Sequence, residues 1–420
     1  MRLTILTAGS RGDVEPFVAL GAGMARAGHR VRLATHPVFS GLVADHGLEF
    51  ASIGLDPHAI MSEVMPYWEE AKRRPLRLAR KLISLVGPLT TDFFARCLAA
   101  CEGSDALLFS PYGTAAWHLA ERLGIPSAQG MLQPAEPTRA FPSPLAPPAL
   151  GRFRPLCRTT HTAGERVGWI VSRPIVDRWR RRDLGLPPLG LLRTPQGEMR
   201  RTRLTTLHGY SEAVSPRAPD WGETTHVTGY WFLDDGAGWQ PPEPLARFLD
   251  AGPPPVLVGF GSTFGHDAAA LARTVLEALR LAGVRGILMT THGALAGTDL
   301  PDTVFALEEA PYGALLPLTC AAVHHGGAGS TAASLRAGRP TVTVPSFFDQ
   351  PFWGDRVARL GAGPPPIPLK RLTAERLAAA LRSATTDVGM RARAAEVGRA
   401  IRAEDGVARA VGILERVLAR

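Results

Sequence analysis

The sequence predicts an α/β protein of two Rossmann-like halves, each a parallel sheet covered by helices, facing a central cleft. Three observations predict it. Strand-like and helix-like segments alternate over residues 2–131 and again from about residue 254, and such a βαβ rhythm calls for a parallel sheet covered on both faces. A proline-rich stretch interrupts the rhythm between them. Two glycine-bearing loops, 9–13 and 324–331, fall at the carboxyl ends of predicted strands, where open parallel sheets bind ligands.

Taken in order, "RLTILTA" (2–8) reads as a buried strand, "VEPFVALGAGMARAG" (14–28) as a helix and "HRVRLATH" (29–36) as a second strand. A short helix around "VFSGLVADHG" precedes a third strand near "LEFASIG". Strand "DALLFS" (105–110), helix 113–124 and strand 125–131 follow. Residues 132–205, rich in Pro, Arg and Trp, predict loops and amphipathic helices outside the sheet, the kind of insertion that often carries specificity. Turn residues over 214–245 mark a link between halves. The rhythm restarts with strand "PVLVGFGS", helix 267–283, and strands "RGILMT" and "TVFALEE". A short helix from Tyr312, strand 320–325, a helix near Ala328 and strand 340–345 follow, then helices from Asp349, Thr373 and about Asp387. The expected units are an N-terminal half 1–220, a linker 221–245, a C-terminal half 246–400, and a last helix within 401–420 that packs back on the first half.

The 420 residues suffice for two or three cores. No apolar run reaches eighteen residues, so no membrane-spanning helix is expected. The opening "MRLTILTAGSRGD" starts directly as a strand without signal-peptide features, which predicts a cytoplasmic protein. Cys97, Cys101, Cys157 and Cys320 complete no zinc set and read as reduced thiols. The net charge of +9 is an arginine excess, dense in 71–81 and 152–203. No nucleic-acid motif accompanies it. It reads either as a solvated surface or, through 71–81, as peripheral contact with the inner face of a membrane.

"HHGGAGST" (324–331) joins a strand to a helix whose first N–H groups lack partners, a ready anion site. Gly327, Ala328 and Gly329 would let a phosphate approach, Ser330 and Thr331 could add hydroxyls, and His325 could donate. The alternative is a turn with a packed histidine. Gly327–Ala332 also matches G-x-G-x-x-A, with Asp349 about twenty residues on, but it lies late in its half, which argues against a dinucleotide fingerprint. Ser262 and Thr263 after "GFG" offer a second small-residue cradle. Asp349 and Gln350 could bind sugar hydroxyls, or Asp349 could be a plain helix N-cap. Asp13 is an N-cap or a general base. Phe347, Phe348, Phe352 and Trp353 read as core or cleft wall.

Together, "GSRGDVEPFVALG" and "HHGGAGSTAASLRAGRPTVTVPSFFDQPFWGDRVARLGAGPPPIP" resemble the nucleotide-sugar glycosyltransferases of the GT-B fold, and within them the branch of sterol glucosyltransferases and bacterial antibiotic glycosyltransferases. The resemblance implies a diphosphate on 325–331 with His325 on a phosphate, and Ser262 and Thr263 in the same site. It puts Tyr312 at the nucleobase and Asp349 and Gln350 on the donor sugar. Asp13 is implied as the base that deprotonates an acceptor hydroxyl, with Ser10, Arg11 and Phe348 beside it on the acceptor side. The implied reaction is inverting and metal-independent. It moves a sugar from a UDP- or dTDP-sugar to a lipophilic acceptor, a polyketide or macrolide before a sterol or other lipid. No other cofactor and no nucleic acid are implied. A sugar-nucleotide epimerase and a non-catalytic partner protein are the rivals. Three departures stand out: Ala333 where plant members have Glu, no tryptophan shortly after Tyr312, and Ser346-Phe347-Phe348-Asp349-Gln350 where Phe-Phe-Gly-Asp-Gln is usual.

Overall fold

In the computed structural model, residues 1–54, 90–233, 236, 238–261, 268–289 and 300–418 are described. The basic stretch 71–81 lies outside the described residues, as do Ser262 and Thr263. The described strands form two parallel sheets, in the order β3-β2-β1-β4-β5-β6-β7 and β10-β9-β8-β11-β12. The first holds β1 (Arg2–Leu6), β2 (Arg30–Thr35), β3 (Glu49–Ser52), β4 (Ala106–Phe109), β5 (Ser127–Met131), β6 (Thr206–His208) and β7 (Thr225–Val227). The second holds β8 (Val256–Gly259), β9 (Gly286–Met289), β10 (Val304–Leu307), β11 (Ala321–His324) and β12 (Thr341–Thr343). These are the two Rossmann-like sheets the alternation predicts. β7 falls inside the stretch expected to be linker, because "THV" is too short to show alternation amid so many turn residues.

Helix α1 (Arg11–Arg26) follows β1 and buries Val14, Phe17, Val18 and Leu20 on the sheet. It starts three residues ahead of the expected position. Ser10, not Asp13, is the N-cap, and Asp13 sits at the third helical position, where its carboxylate accepts the Ser10 backbone N–H. Helix α2 (Ala115–Leu123) links β4 to β5 and ends at Gly124 in the left-handed conformation. The helical stretch ending near residue 101 buries Cys97 and Cys101, whose thiols burial pushes well up; all four cysteines are free.

The Pro- and Arg-rich insertion becomes α3 (Arg154–Arg182), a helix of 29 residues outside the sheet. Its inner side buries Cys157, His161, Trp169, Trp179 and Arg180. Arg180 is 1% exposed; it donates to His118 Nδ1 and to both Glu121 carboxylate oxygens, at 2.8 and 3.1 Å. A charge buried that deeply needs such partners.

In the second half, α4 (Ala328–Arg336) follows β11 and α5 (Gln350–Arg359) follows β12. The halves meet in one aromatic cluster. Phe141, Tyr210, Trp221 and Tyr230 of the first pack with Leu335, Phe352, Trp353 and Val357 of the second. Arg356 lies over the rings of both Phe141 and Phe352. The last helix, α6 (Gly406–Leu418), returns to the first half. It buries Ala410, Val411 and Leu414 in the core that α1 and β1 build, while His29 meets Glu415 at 3.0 Å.

Leu414 is fully buried in that return. Leu414→Ala is expected to cost about 3 kcal/mol through lost burial and a residual cavity. The check is a lower urea midpoint for the transition of the first half, with circular dichroism in buffer unchanged.

Candidate active site

Each sheet has one place where its strand order reverses. In the first sheet the reversal lies between β1 and β4; in the second it lies between β8 and β11. Crevices of open parallel sheets form there. The segments that leave β1 and β4 carry Asp13, in the first turn of α1, and Tyr112, and the loops that leave β8 and β11 carry Gly261 and His325.

On the second half, His324 closes β11, 1% exposed, and its Nδ1 accepts the Gly326 N–H at 2.9 Å. That bond fixes a kink in which Gly326 has φ +86°, a conformation that suits glycine. A Cβ at Gly326 would also lie 3.0 Å from the Gln350 carbonyl, so this turn rests on the next loop. The kink leaves His325 between Gly261 and Gly327: a Cβ at Gly327 would meet His325 Nε2 at 2.5 Å, and one at Gly261 would meet its Cε1 at 3.2 Å. Burial lowers the His325 pKa to about 4, so the ring is neutral at pH 7, and its Nδ1 has no hydrogen-bond partner among the described residues.

Helix α4 opens from Gly327 with no side-chain cap. Its first intrahelical bond runs from Thr331 N to Gly327 O, so the N–H groups of Ala328, Gly329 and Ser330 stay free of helical partners. With the helix dipole they form an anion site beside His325. Gly329 is exposed and Ser330 half-buried, but Thr331 is fully buried. The Thr331 hydroxyl is buried and has no hydrogen-bond partner among the described residues. Tyr312 lies across the end of β8, its hydroxyl 2.5 Å from where a Gly259 Cβ would be, and burial raises its pKa to about 12.

The segment 346–350 is organised by its own side chains. Gln350 is 6% exposed, and its Oε1 accepts from Ser346 N, Ser346 Oγ and Phe347 N at 2.9, 3.1 and 3.3 Å. Its carbonyl oxygen is thus committed to the loop and only its amide N–H groups remain for a ligand. Asp349 occupies the N-cap position of α5 without capping it. Its Oδ2 instead accepts the Trp353 indole N–H at 2.9 Å. Burial lifts the Asp349 pKa to about 6; the Trp353 bond pulls it down, and the charge of Asp13 across the cleft pushes it up. Phe348 has φ +51°, a left-handed conformation that costs a bulky residue about 1–2 kcal/mol. It stands at the place where the usual pattern has glycine, so the backbone shape persists without the residue that suits it.

On the first half, both capping bonds to Asp13 fall on Oδ2, from Ser10 N at 2.9 Å and Ser10 Oγ at 2.8 Å. Gly9 has φ +123°, and a Cβ there would meet Asp13 Oδ2 at 2.6 Å. The Gly9 N–H is anchored on His36 Nε2 at 2.9 Å. Burial raises the Asp13 pKa against the lowering effect of the Ser10 bonds, which suits a proton acceptor. Arg11 pairs with Glu15 at 2.7 Å and with Glu309 of the second half at 3.2 Å, so it straddles the cleft. Tyr112, on the turn after β4, has its pKa raised by burial and by the charges of both Asp13 and Asp349.

His36, Tyr112, His324 and Trp353 are the site residues the sequence does not reveal in these roles. Their signals are a loop anchor, a turn, a strand end and a helix interior, each commoner as plain packing. Among the described residues no group of three or more His, Cys, Asp or Glu could hold a metal ion.

The comparisons agree with this geometry. The family of glycosyltransferase family 28 N-terminal domains matches residues 3–142. The family of erythromycin biosynthesis protein CIII-like C-terminal domains matches residues 286–416. The chain is 37% identical over 443 residues to a sterol 3-beta-glucosyltransferase of Cryptococcus neoformans and 36% identical over 430 residues to one of Emericella nidulans. All of this chain is covered, but it spans only 27% and 30% of the length of those relatives. Among solved structures, the glycotransferase of kitacinnamycin superposes with a TM-score of 0.73 at 22% identity, covering 99% of both chains. Glycosyltransferase VinC in complex with dTDP superposes with a TM-score of 0.65 at 22% identity, covering 100% of both. The two domain matches and a two-sheet fold shared end to end give one conclusion: this chain has the GT-B fold, with a glycosyltransferase family 28 N-terminal domain in its first half and an erythromycin biosynthesis protein CIII-like C-terminal domain in its second.

Proposed function

We propose that the protein transfers a sugar from a nucleoside-diphosphate sugar to a hydroxyl of a lipophilic acceptor, with inversion. The observation that carries the reading is the pairing across one cleft. Asp13, a carboxylate with a raised pKa, faces a donor side made of a free helix N-terminus, neutral His325 and the Asp349 carboxylate. In this reading Asp13 takes the acceptor proton as the oxygen attacks the anomeric carbon. The N–H groups of Ala328, Gly329 and Ser330 and the His325 ring stabilise the charge growing on the departing diphosphate. Asp349 and the Gln350 amide hold sugar hydroxyls, and Tyr312 flanks the base. In this reading the backbone N–H groups and the neutral imidazole aimed at the diphosphate do the work a metal ion would otherwise do.

Sequence likeness along the whole chain to sterol 3-beta-glucosyltransferases favours a sterol-like lipid acceptor, with UDP-glucose as the first donor to try. The macrolide and polyketide acceptors and dTDP-sugars favoured by the sequence alone are the second reading, supported by the fold-level likeness to VinC. The decisive assay is nucleoside-diphosphate release from UDP- and dTDP-sugars with a sterol and with a macrolide aglycone, EDTA present. We expect sterol-dependent UDP release that Asp13→Ala lowers by about 10²–10⁴-fold, with donor affinity retained. His325→Ala should weaken UDP binding as well. Release that requires added metal, or that proceeds unchanged in Asp13→Ala, would overturn the mechanism.

Asp349 accepts most strongly from a sugar hydroxyl when it is ionised. Its raised pKa of about 6 therefore predicts that kcat/KM for the donor falls as pH drops through about 6. Trp353→Phe removes the N–H that lowers this pKa, so the acid limb should move to higher pH. A limb that stays in place in the variant would assign it to another group.

A further inference from the structure

Helix α3 buries one side and leaves an unusual pattern on the other. Leu156, Ala163, Val167, Ile170 and Pro174 are all exposed, and their spacing of 7, 4, 3 and 4 puts them on one face of a helix. Val167 is 59% and Ile170 53% exposed. A solvated helix face is ordinarily polar. On the buried side of α3, Trp169 Nε1 donates to Gly190 O at 2.8 Å and holds the following loop, in which Leu192 is 93% exposed.

The charges around this stripe have one sign. Arg166, Arg178, Arg181 and Arg182, on or beside this face by helical spacing, are exposed, and none makes a salt bridge with a described residue. The two acids of α3 are withdrawn. Glu165 is held by Arg200 at 2.6 Å and Asp177 is buried. The stripe also starts at the cleft. His161 holds the carbonyls of Ala135 and Phe141, and Ser143 N donates to Thr160, so the first turns of α3 clasp the loop that packs through Phe141 on Phe352 of α5.

We propose that the outward face of α3 docks on an anionic lipid surface, its apolar stripe in the acyl boundary and its arginines on the phosphates. No helix among the described residues is long and apolar enough to cross a membrane, so the contact is one of lying on the surface. A second copy fits less well, because two such faces would set arginines against arginines. The inference rests on the lipid-acceptor reading only for its purpose, which is to bring the cleft to the layer where the acceptor resides.

The test is sedimentation of the full chain with sucrose-loaded vesicles, of phosphatidylcholine alone and of phosphatidylcholine with phosphatidylglycerol, with no substrate present. Binding should require the anionic lipid and weaken as salt rises. Val167→Asp/Ile170→Asp and Arg178→Glu/Arg181→Glu should each reduce it by about tenfold or more. Melting temperature and activity on a water-dispersed acceptor should be unchanged. Wild-type protein that stays in the supernatant, or variants that bind as well as wild type, would overturn the proposal. A concentration-dependent dimer abolished by the same variants, without vesicle binding, would assign the face to a second copy instead. Because docking is read without turnover, its failure is separable from failure of the transferase reading.

Discussion

The Trp353 indole is the point on which the cleft depends. Its ring is fully buried and meets Tyr210 of the other half edge-on at 6.0 Å, while its N–H holds the Asp349 carboxylate. One turn back on the same helix, Gln350 fixes the loop before it through its side chain and supports the Gly326 kink through its carbonyl. A chain of contacts thus runs from the first half through Trp353 and α5 to the turn that presents His325. Apolar packing between the halves and the placement of polar groups in the cleft are one problem with one solution. A buried indole N–H needs an acceptor, and here the acceptor is a carboxylate exposed to ligand.

The two sheets solve the same geometric problem in the same way. Each reverses its strand order beside its first strand, and each reversal opens a crevice at the carboxyl ends. Turned face to face, the crevices bring groups separated by more than three hundred residues into one electric field: the Asp349 carboxyl feels Asp13. In both crevices a histidine receives a backbone N–H from a glycine, His36 from Gly9 and His324 from Gly326. Each bond holds the turn that precedes a cleft residue, Asp13 in one crevice and His325 in the other.

The sheets, the order of most elements and the glycine turn before α4 were legible because they rest on periodicity and on glycine, which act locally. The start of α4 at Ala328 follows from that logic. What was hidden depends on tertiary contact. Asp13 reads as an N-cap until Ser10 takes the cap and draws it one turn inward. Thr331 belongs to a string of plausible hydroxyl donors, and only the fold shows that its hydroxyl is buried without a partner among the described residues. Gln350 reads as a sugar ligand, yet half of its amide is occupied by Ser346 and Phe347. Trp353 reads as wall because nothing in a sequence says which carboxylate an indole will meet. Phe348 breaks the expected glycine pattern in composition and keeps it in backbone angle. The long α3 was expected only as loops and amphipathic helices, since its apolar residues serve two faces at once and blur any single period.

The chain crosses between halves twice, once after β7 and once on the way into α6. The two crossings touch: Gly406 packs on the backbone of Gly229 and Tyr230, and Ser211 donates to Glu404 at 2.8 Å. A body tethered at two distant points cannot rotate freely, and one tethered at a single point can rotate about any axis. Two tethers side by side behave as a door hinge. They permit opening and closing about the line through both and resist twisting across it. Two touching crossings therefore constrain relative rotation of the halves more than a single linker would.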